Sequence, residues 1–508
     1  MMAQGVLPFK YQADKSSQGA TALGGLPVWW DMAHVLGLGD AVREHLAVRG
    51  AGQGWTDSQV VMSLICMNIA GGDCVDDLRM LQADDGFCRV VRRVELSGLP
   101  RRERRAIERR QRKEGARAAP SPSAVFRYLE RFHDPSQEER RQPGKAFIPR
   151  ANEHLRGLGK VNCDLVAAVQ RRMPVEVATL DMDATLVESF KEQALYCYKH
   201  FKSYQPLNVW WAEQGLVVHS EFRDGNVPAG FEQLRILEEA LAMLPEGVEA
   251  VRLRSDSAGY QEELLRYCEM GKSERFGRIE FAVSSDVTVE FKQAVAEVAP
   301  EDWKSISRKD DRGELQPTSQ QWAEVCYVPS SLARSQKGTY RFLAVREPLA
   351  NQPLPGMAEQ LRLPFPTMEL GKTHYTLFGL VTNLDWDGEA VISFLRERCG
   401  KSEEAHLIMK SDLAGGRLPS ALFGANAAWW AIMLLALNLN EALKRLVLGG
   451  KWATARLKAL RFHLVCLPGR VLTRARQLLV RVRHDHPALE VLLGARQRIL
   501  TLASASSP

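Results

Sequence analysis

The sequence lacks any pair of closely spaced cysteines. Its nine cysteines lie singly along 508 residues, without a Cys-x-x-Cys motif. An odd number of isolated cysteines argues against a disulfide framework and a zinc module, and it favours reduced thiols in the cytoplasm. The start of the sequence also lacks a basic segment followed by an apolar run, so no secretory signal is indicated. We therefore expect a cytoplasmic protein.

A long hydrophobic run is absent as well. The longest apolar stretch, residues 427–437, is bounded by Asn426 and Asn438. Because a transmembrane helix needs about 20 apolar residues, this stretch predicts a buried core helix and no membrane partner. Hydrophobic residues make up 45% of the chain and charged residues 25%, as in globular proteins. This composition excludes an intrinsically disordered chain.

The excess of charge of one sign is small. Lys and Arg number 67 against 61 Asp and Glu, a net charge of +6. The distribution is more informative, because residues 101–117 and the tail from residue 450 are both strongly basic. Each is either a solvated helix with Glu and Arg paired at helical spacing or a nucleic-acid contact. In the first block the candidate contacts are Arg104, Arg105 and Arg109.

The order of predicted elements gives an α/β fold class with one mixed sheet and flanking helices. Strands at 175–183, 208–212 and 215–223 precede an alternation of helix and strand. A single long helix is expected over 389–410. The predicted regions are a helical N-terminal region with a basic arm (1–150), the first part of the core (151–290), a β-rich insertion (291–375), the second part of the core (376–448) and a basic helical C-terminal region (449–508).

Two of the predicted strands end in carboxylates. Asp181 and Asp183 are two residues apart on one strand, so their side chains share a face. Asp256 follows the strand-like segment 248–255, and ligands of open α/β sheets bind outside such strand ends. The structural alternatives are edge-strand carboxylates for the pair and a helix cap for Asp256.

A third motif lies in the second part of the core. Glu403, Leu407 and Lys410 fall on one stripe of a helix, because residues three and four apart are neighbours. The alternative is surface ion pairing that also involves Lys401 and Glu404. Three carboxylates from the three motifs could hold two Mg²⁺ ions, which clamp the attacking and leaving oxygens in a phosphodiester displacement. Lys410 would then lie near the scissile phosphate as a point charge.

In this order the motifs resemble a known family. The resemblance covers residues 20 to 500 and is to bacterial insertion-sequence transposases with an RNase H-like core, of the group called insertion sequence thirteen-eighty. The segments that carry it are TLDMDATLVES, YQPLNVWWAEQGLVVHSEFRDGN, VRLRSDSAGYQEELLRYCE and RERCGKSEEAHLIMKSDLAGGRLPSALFGANAAWW.

The resemblance implies a catalytic Asp-Asp-Glu triad that binds Mg²⁺, with Mn²⁺ as a substitute. Asp256 matches the second aspartate and Glu403 the glutamate, with Lys410 at the family's seven-residue offset. Asp183 matches the first aspartate better than Asp181 does, because a small residue and then Thr follow it. Asp181 would be a neighbouring carboxylate that tunes or assists metal binding, as outer-shell groups do.

The resemblance also implies contacts with DNA. Arg223 is a candidate DNA contact, and the alternative is that Gly225 and Asn226 after it form a structural turn. The family's Tyr and Arg ahead of the glutamate are not cleanly present, and Arg398 is the candidate DNA contact in that stretch. Trp303 and Trp322 lie in the predicted insertion, where related hairpin-forming enzymes stack an aromatic residue on a displaced base. The alternative, which we expect, is that each Trp fills a small core.

The sequence therefore predicts a Mg²⁺-dependent DDE transposase. It would bind terminal inverted repeats and target DNA as a homodimer, cleave and transfer strands, and associate with the nucleoid when bound to DNA. Two alternatives remain: a catalytically inactive protein that binds transposon ends, and an RNase H-like nuclease without strand transfer.

Overall fold

The structure is a computed structural model that describes most of the chain. The described residues are 2–4, 10–12, 18–49, 54–97, 100–102, 104–105, 108–109, 117–142, 144–309, 314–329, 340–350, 365–475 and 477–504. Parts of the predicted basic arm, residues 103, 106–107 and 110–116, lie outside them.

Helices surround the central sheet and also form the N-terminal region. In chain order they are α1 (Pro27–Val35), α2 (Leu38–His45), α3 (Asp57–Ala70), α4 (Leu78–Ala83), α5 (Asp85–Glu95), α6 (Pro122–Glu130), α7 (Pro135–Glu138), α8 (Glu153–Arg172), α9 (Gln233–Met243), α10 (Glu262–Glu269), α11 (Val289–Ala296), α12 (Gly388–Arg396), α13 (Lys401–Leu407), α14 (Phe423–Leu443), α15 (Leu457–Leu460) and α16 (Ala488–Ser504). Helix α3 begins with a capping box at Thr56, and Gly71 follows its last residue with a left-handed φ of +104°.

The strands fall mainly in the middle of the chain. They are β1 (Met2–Gln4), β2 (Lys10–Gln12), β3 (Ala20–Thr21), β4 (Val177–Ala184), β5 (Val187–Glu188), β6 (Leu195–Tyr196), β7 (Lys202–Tyr204), β8 (Leu207–Trp211), β9 (Leu216–Glu221), β10 (Ala250–Ser255), β11 (Glu280–Ser285), β12 (Lys304–Lys309), β13 (Leu315–Val325), β14 (Arg341–Pro348), β15 (Thr367–Leu370), β16 (Thr373–Thr382), β17 (Gly469–Arg474) and β18 (Gln477–Val482).

A mixed sheet of ten strands, counted over the described part of the chain, forms the core. Its order is β12-β13-β14-β16-β11-β10-β4-β8-β9, and β15 also pairs with β16. Strands β4, β10 and β11 are parallel, whereas β8 and β16 run antiparallel to their neighbours. The mixed α/β fold with flanking helices is therefore confirmed.

The register of the parallel strands brings the acidic motifs together. Arg254 of β10 lies opposite Asp181 of β4. Because the two strands are parallel, their carboxyl ends reach the same edge of the sheet. Asp183 is near the end of β4, and Asp256 directly follows β10. Both aspartates therefore meet at that edge.

The predicted β-rich insertion contains strands, but they continue the core sheet. Strand β14 pairs along β16, which pairs on its other side with β11. Without β14, strand β16 would expose a long row of unpaired backbone groups. Trp303 and Trp322 are only 7% and 5% exposed, which confirms the expectation that they pack in the core.

Helix α14 is buried along almost its whole length and packs against α8, α3 and β9. Its polar side chains are paired with neighbours. Asn438 accepts a hydrogen bond from the Val217 N–H at 2.9 Å and donates one to the Val217 carbonyl at 2.8 Å. This confirms the buried core helix predicted around residues 427–437.

One bent pair of helices, but no single helix in the described part of the chain, has the length and composition of a membrane span. Within the described ranges, no single helix has the length and apolar composition of a span, although Asp57–Ala70 and Val75–Ala83, bent by 94°, meet that criterion as a pair.

Two predicted helical segments are wrong. The helix expected over 389–410 is broken into α12 and α13, because Gly400 has a φ of +85° and the chain leaves the helical conformation there. The C-terminal region is not wholly helical, since β17 and β18 form a hairpin that pairs with β3. Pro468 precedes this hairpin and Ala475 turns it with a φ of +48°. Helix α16 follows, as predicted.

Candidate active site

Two of the predicted catalytic carboxylates share one cationic partner. Nη2 of Arg398 lies 3.2 Å from Oδ1 of Asp183 and 3.8 Å from Oδ2 of Asp256. The Asp183 side chain is 19% exposed and that of Asp256 is 47% exposed. Asp256 also accepts a hydrogen bond from the Ala258 N–H at 3.0 Å, so it caps the following turn as well. The guanidinium thus draws both carboxylates to one point at the sheet edge.

The charges at this point do not balance. Burial raises the pKa of Asp183 and of Asp256, and Arg398 opposes the rise in both. The negative charge of Asp183 raises the pKa of Asp256 further. One guanidinium therefore faces two partly buried carboxylates, and the remaining negative charge favours a further cation.

Helix α13 docks on Asp183 through two side chains. The side chain of Ser402 lies close enough to the Asp183 carboxylate to lower its pKa. Nδ1 of His406 is 3.8 Å from Oδ2 of Asp183, and its Nε2 is 3.4 Å from Nδ2 of Asn208. Burial, together with the charges of Lys410 and Arg398, lowers the pKa of His406 to about 4, so the imidazole is neutral at pH 7. These contacts fix the helix that carries Glu403 against strand β4.

Glu403 lies beside this contact, with an exposed side chain. It follows Ser402 and precedes His406 by one helical turn, and its charge acts on the pKa of His406. Within the described ranges, the groups of three or more possible ligands with atoms inside 4.8 Å of one another are Glu44-His45-Asp164 and Asp73-Cys74-Asp77. Glu403 therefore lies at the rim of the site and does not close a compact triad with the two aspartates.

Lys410 reaches the end of strand β4 from the same side. It belongs to a π-helical turn, Ile408–Asp412, and its Nζ donates to the Leu186 carbonyl at 3.3 Å. Burial lowers the pKa of Lys410, and the nearby charge of Lys199 lowers it further. The ammonium group is thus held close to the chain segment that leaves Asp183.

A second ion pair lies one layer deeper in the sheet. Both carboxylate oxygens of Asp181 accept hydrogen bonds from Arg254, at 2.6 and 2.9 Å, and both side chains are 1% exposed. Arg254 also donates to the Phe394 carbonyl at 2.8 Å and contacts Glu397 at 3.2 Å. Asp181 therefore faces Arg254 and not an open metal site, and the pair ties β4 and β10 to the end of α12.

Two predicted DNA contacts are corrected by burial. Arg223 is 1% exposed, pairs with Glu221 at 2.7 Å and donates to the Phe231 carbonyl at 2.8 Å. It stabilises a turn and is not on a DNA-facing surface. Arg398 is 8% exposed and engaged by the two aspartates, so its charge is directed at the acidic site.

The predicted arginines of the basic arm lie together, apart from the acidic site. Arg104, Arg105 and Arg109 have helical backbone, and Arg105 and Arg109 are exposed. Arg105, Arg109 and the preceding Arg101 and Arg102 line one open groove.

Some residues of the site were missed by sequence reasoning. Ser402 and His406 are four residues apart and share one face of the helix that carries Glu403, so a helical projection could have found them. Arg254 precedes Asp256 by two residues and therefore shares its face of the sheet. Asn208 had no signal, because its position opposite Asp183 depends on the pairing of β4 with β8.

The site is thus an acidic cluster at the carboxyl edge of a mixed sheet. The sequence matches the family model described as transposase DDE domain, group 1, over residues 10–504. The chain therefore belongs to the DDE transposase family. Family membership implies polynucleotidyl transferase or nuclease activity.

No curated protein matches the sequence. Among solved structures, the fold is similar to the piggyBac transposase in its cryo-EM synaptic complex with hairpin DNA, at 9% identity and a TM-score of 0.42, over 96% of this chain and 83% of that one.

We expect that replacing either Asp181 or Arg254 alone destabilises the fold, whereas replacing both together costs much less stability. Asp181→Leu or Arg254→Met alone leaves a buried charge unpaired, which should lower the free energy of unfolding by about 3–5 kcal/mol. The double variant removes both charges and should regain most of that loss. Urea unfolding of the four proteins measures this.

The exposed pair Arg43–Asp40 provides the control, since its side chains are 64% and 74% exposed. Arg43→Met should change the free energy of unfolding by less than about 1 kcal/mol. If the loss of stability in the double variant equals the sum of the losses in the two single variants, the paired role is contradicted.

Proposed function

We propose that the protein is a Mg²⁺-dependent transposase that binds the terminal inverted repeats of its element, cleaves DNA there and transfers the strand ends to target DNA. The observation that carries this proposal is the convergence of Asp183 and Asp256 on Arg398 at the sheet edge. The family's polynucleotidyl transferase chemistry needs such a site, because it joins and breaks phosphodiester bonds.

In this proposal Asp183, Asp256 and Glu403 would hold two Mg²⁺ ions. The donor set fits, because Mg²⁺ prefers carboxylate oxygens and the two aspartates carry more negative charge than Arg398 offsets. Bound Mg²⁺ would supply Lewis-acid stabilisation of the phosphoryl oxygens. Glu403, which lies at the rim and outside a compact triad with the two aspartates, would be the third donor.

The neighbouring side chains have positioning and electrostatic roles in the proposal. Arg398 acts as the internal counter-ion that keeps the two carboxylates together. His406 is neutral at pH 7 and orients Asp183 without adding charge. Lys410, at the end of β4, offers a point charge to a backbone phosphate beside the site.

The remaining parts of the proposal concern architecture, partners and location. The sheet, with carboxylates at the ends of two adjacent parallel strands, supports an RNase H-like core. The groove of arginines supports a contact with the phosphates of double-stranded DNA. We infer that two copies act together on paired transposon ends. Nine free thiols support a cytoplasmic protein, associated with the nucleoid when bound to DNA.

The catalytic assignment predicts loss of strand cleavage in site variants. We expect Asp183→Ala, Asp256→Ala and Glu403→Ala each to lower cleavage of DNA bearing the element's own terminal repeats by at least about 100-fold, because each would remove a metal ligand. Gel analysis of nicked and joined products, with Mg²⁺, measures this.

Glu404→Ala is the matched control, since Glu404 is an exposed carboxylate on the same helix. It should cleave like the wild type. Cleavage without joined products would favour the nuclease alternative, and specific binding without cleavage by the wild type would favour the inactive end-binding protein. Full cleavage by Asp256→Ala would exclude the assigned triad.

Metal binding can be tested without reference to activity. At Mg²⁺ concentrations about 100-fold above the dissociation constant, the free energy of unfolding of the wild type should rise by about 2.7 kcal/mol for each bound ion. The Asp183→Ala and Asp256→Ala variants should lose this increase, whereas Glu404→Ala should keep it. Urea unfolding with and without Mg²⁺ gives the comparison. An equal increase in all four proteins would place the bound metal elsewhere.

The arginine groove predicts a salt-dependent affinity. If Arg105 and Arg109 each neutralise a phosphate, replacing both by Ala should reduce the slope of log affinity against log salt by about 1.8. Fluorescence anisotropy over a salt series measures that slope. The double variant Arg43→Ala, Arg79→Ala removes the same charge from ion-paired surface positions. A slope change of the same size in this control would mean that only net charge matters.

A further inference from the structure

A line of five side chains, which we call the polar row, leads from the core to the acidic site. Asn208 of β8 lies opposite Asp183 of β4, and Ser220 of β9 lies opposite Asn208. Residues directly opposite each other on neighbouring strands share one face of the sheet. Trp430 of α14 bonds to Ser220, and His406 of α13 lies between Asn208 and Asp183. Five elements of the fold therefore meet in the polar row.

The direction of the hydrogen bonds is set at Trp430. An indole N–H can only donate, and Nε1 of Trp430 donates to Oγ of Ser220 at 3.1 Å. The Ser220 hydroxyl donates its own proton to Oδ1 of Asn208 at 2.7 Å, a separation typical of an O–H···O bond. Trp430 and Asn208 are buried, so water competes little for these bonds. The carboxamide of Asn208 therefore turns its oxygen toward β9 and its NH₂ group toward α13.

This direction decides which nitrogen of His406 carries the proton. Nδ2 of Asn208 lies 3.4 Å from Nε2 of His406. An amide NH₂ group can only donate, so Nε2 accepts and the proton of the neutral imidazole is on Nδ1. Nδ1 faces Asp183, at 3.8 Å from its Oδ2. With the Asn208 amide reversed, Nδ1 would instead direct its lone pair at the carboxylate, which is repulsive.

The separation between His406 and Asp183 also matters. At 3.8 Å it is longer than a hydrogen bond. The N–H of His406 therefore attracts the carboxylate and orients it without occupying its lone pairs, which stay available to another ligand.

We propose that Trp430, Ser220 and Asn208 are positioning residues, which hold His406 in the tautomer that presents Nδ1–H to Asp183. The tautomer of a histidine is set by the hydrogen bond that its other nitrogen makes, and such outer-shell bonds orient the ligands of a metal site. This inference rests on the proposed function, because Asp183 is a metal ligand there. A network that only stabilised the core would not depend on which nitrogen carries the proton.

The tautomer can be measured without metal or DNA, by NMR of protein labelled with ¹⁵N in its histidine rings. The two nitrogens of a neutral imidazole have well-separated chemical shifts, and the His406 signals are those lost in His406→Asn. We expect the Nδ1–H form in the wild type at pH 7. Asn208→Leu removes the donor to Nε2 and should move the signals toward the Nε2–H form. Ser220→Ala frees the amide to flip and should give a mixture, whereas Ser220→Thr keeps the hydroxyl and should resemble the wild type.

The cleavage assay tests whether this tautomer serves the reaction. Asn208→Leu and Ser220→Ala should each lower the rate at saturating terminal-repeat DNA by about 10-fold or more, as the loss of an outer-shell bond does. Ser220→Thr should restore it. DNA affinity in EDTA should not change, because both residues act through His406. His406→Asn places an amide N–H near the position of Nδ1, so it should cleave about 10-fold faster than His406→Gln, whose amide lies near Nε2.

Asn162 provides the control for a lost hydrogen bond to the same strand. Its Nδ2 donates to the Val217 carbonyl of β9 at 2.9 Å, outside the polar row. Asn162→Ala should unfold at lower urea concentration than the wild type, but its His406 tautomer and its cleavage rate should be unchanged. Loss of cleavage in this control would show that any weakening of β9 has the same effect, and it would contradict the positioning role.

The outcomes separate this inference from the proposed function. If the folded wild type shows the Nε2–H form, the inference is wrong at any cleavage rate. If Asn208→Leu changes the tautomer but not the cleavage rate, the positioning role is wrong. If the wild type does not cleave terminal-repeat DNA, the proposed function fails, and the NMR measurement still decides whether the polar row holds His406. Should Asn208→Leu not fold, Ser220→Ala and Ser220→Thr give the same comparison at a partly exposed position.

Discussion

The buried pair of Asp181 and Arg254 is the interaction on which the site depends. It joins two adjacent parallel strands, and Arg254 also bonds to the end of the helix α12 at Phe394. Each of these elements leads to a residue of the acidic site within a few positions. A shift of any one would move Asp183, Asp256 or Arg398 relative to the others. Because both charges are almost completely buried, the pair tolerates little rearrangement, and this rigidity positions the site.

Arg398, nearer the surface, also pairs with carboxylates, but the ratio of charges differs. The deeper guanidinium faces the single buried carboxylate of Asp181, whereas Arg398 is shared by two, Asp183 and Asp256, that are partly accessible. The deep layer is therefore suited to structure, and the upper layer to binding a further cation. Glu403 lies at the open side. In the proposed function, metal and scissile phosphate meet at this one edge of the sheet.

Sequence reasoning succeeded where the signal is local. The mixed sheet and the buried helix around 427–437 follow from hydrophobic patterning along the chain. It failed where neighbours decide the conformation. The hairpin of β17 and β18 depends on pairing with β3, and the helix expected over 389–410 is interrupted at Gly400. The sequence predicted a β-rich insertion over 291–375, but only pairing of β14 with β16 joins strands β12 to β14 to the core sheet.

The sequence by itself determined the family, the fold class and the candidate carboxylates, because motif order and strand ends can be read along the chain. The tertiary structure decided what each charge faces. It buried Arg223 in a turn, paired Asp181 with Arg254, and directed Arg398 at the aspartates. Burial and charge pairing depend on residues far apart in the chain, so no local pattern could specify them.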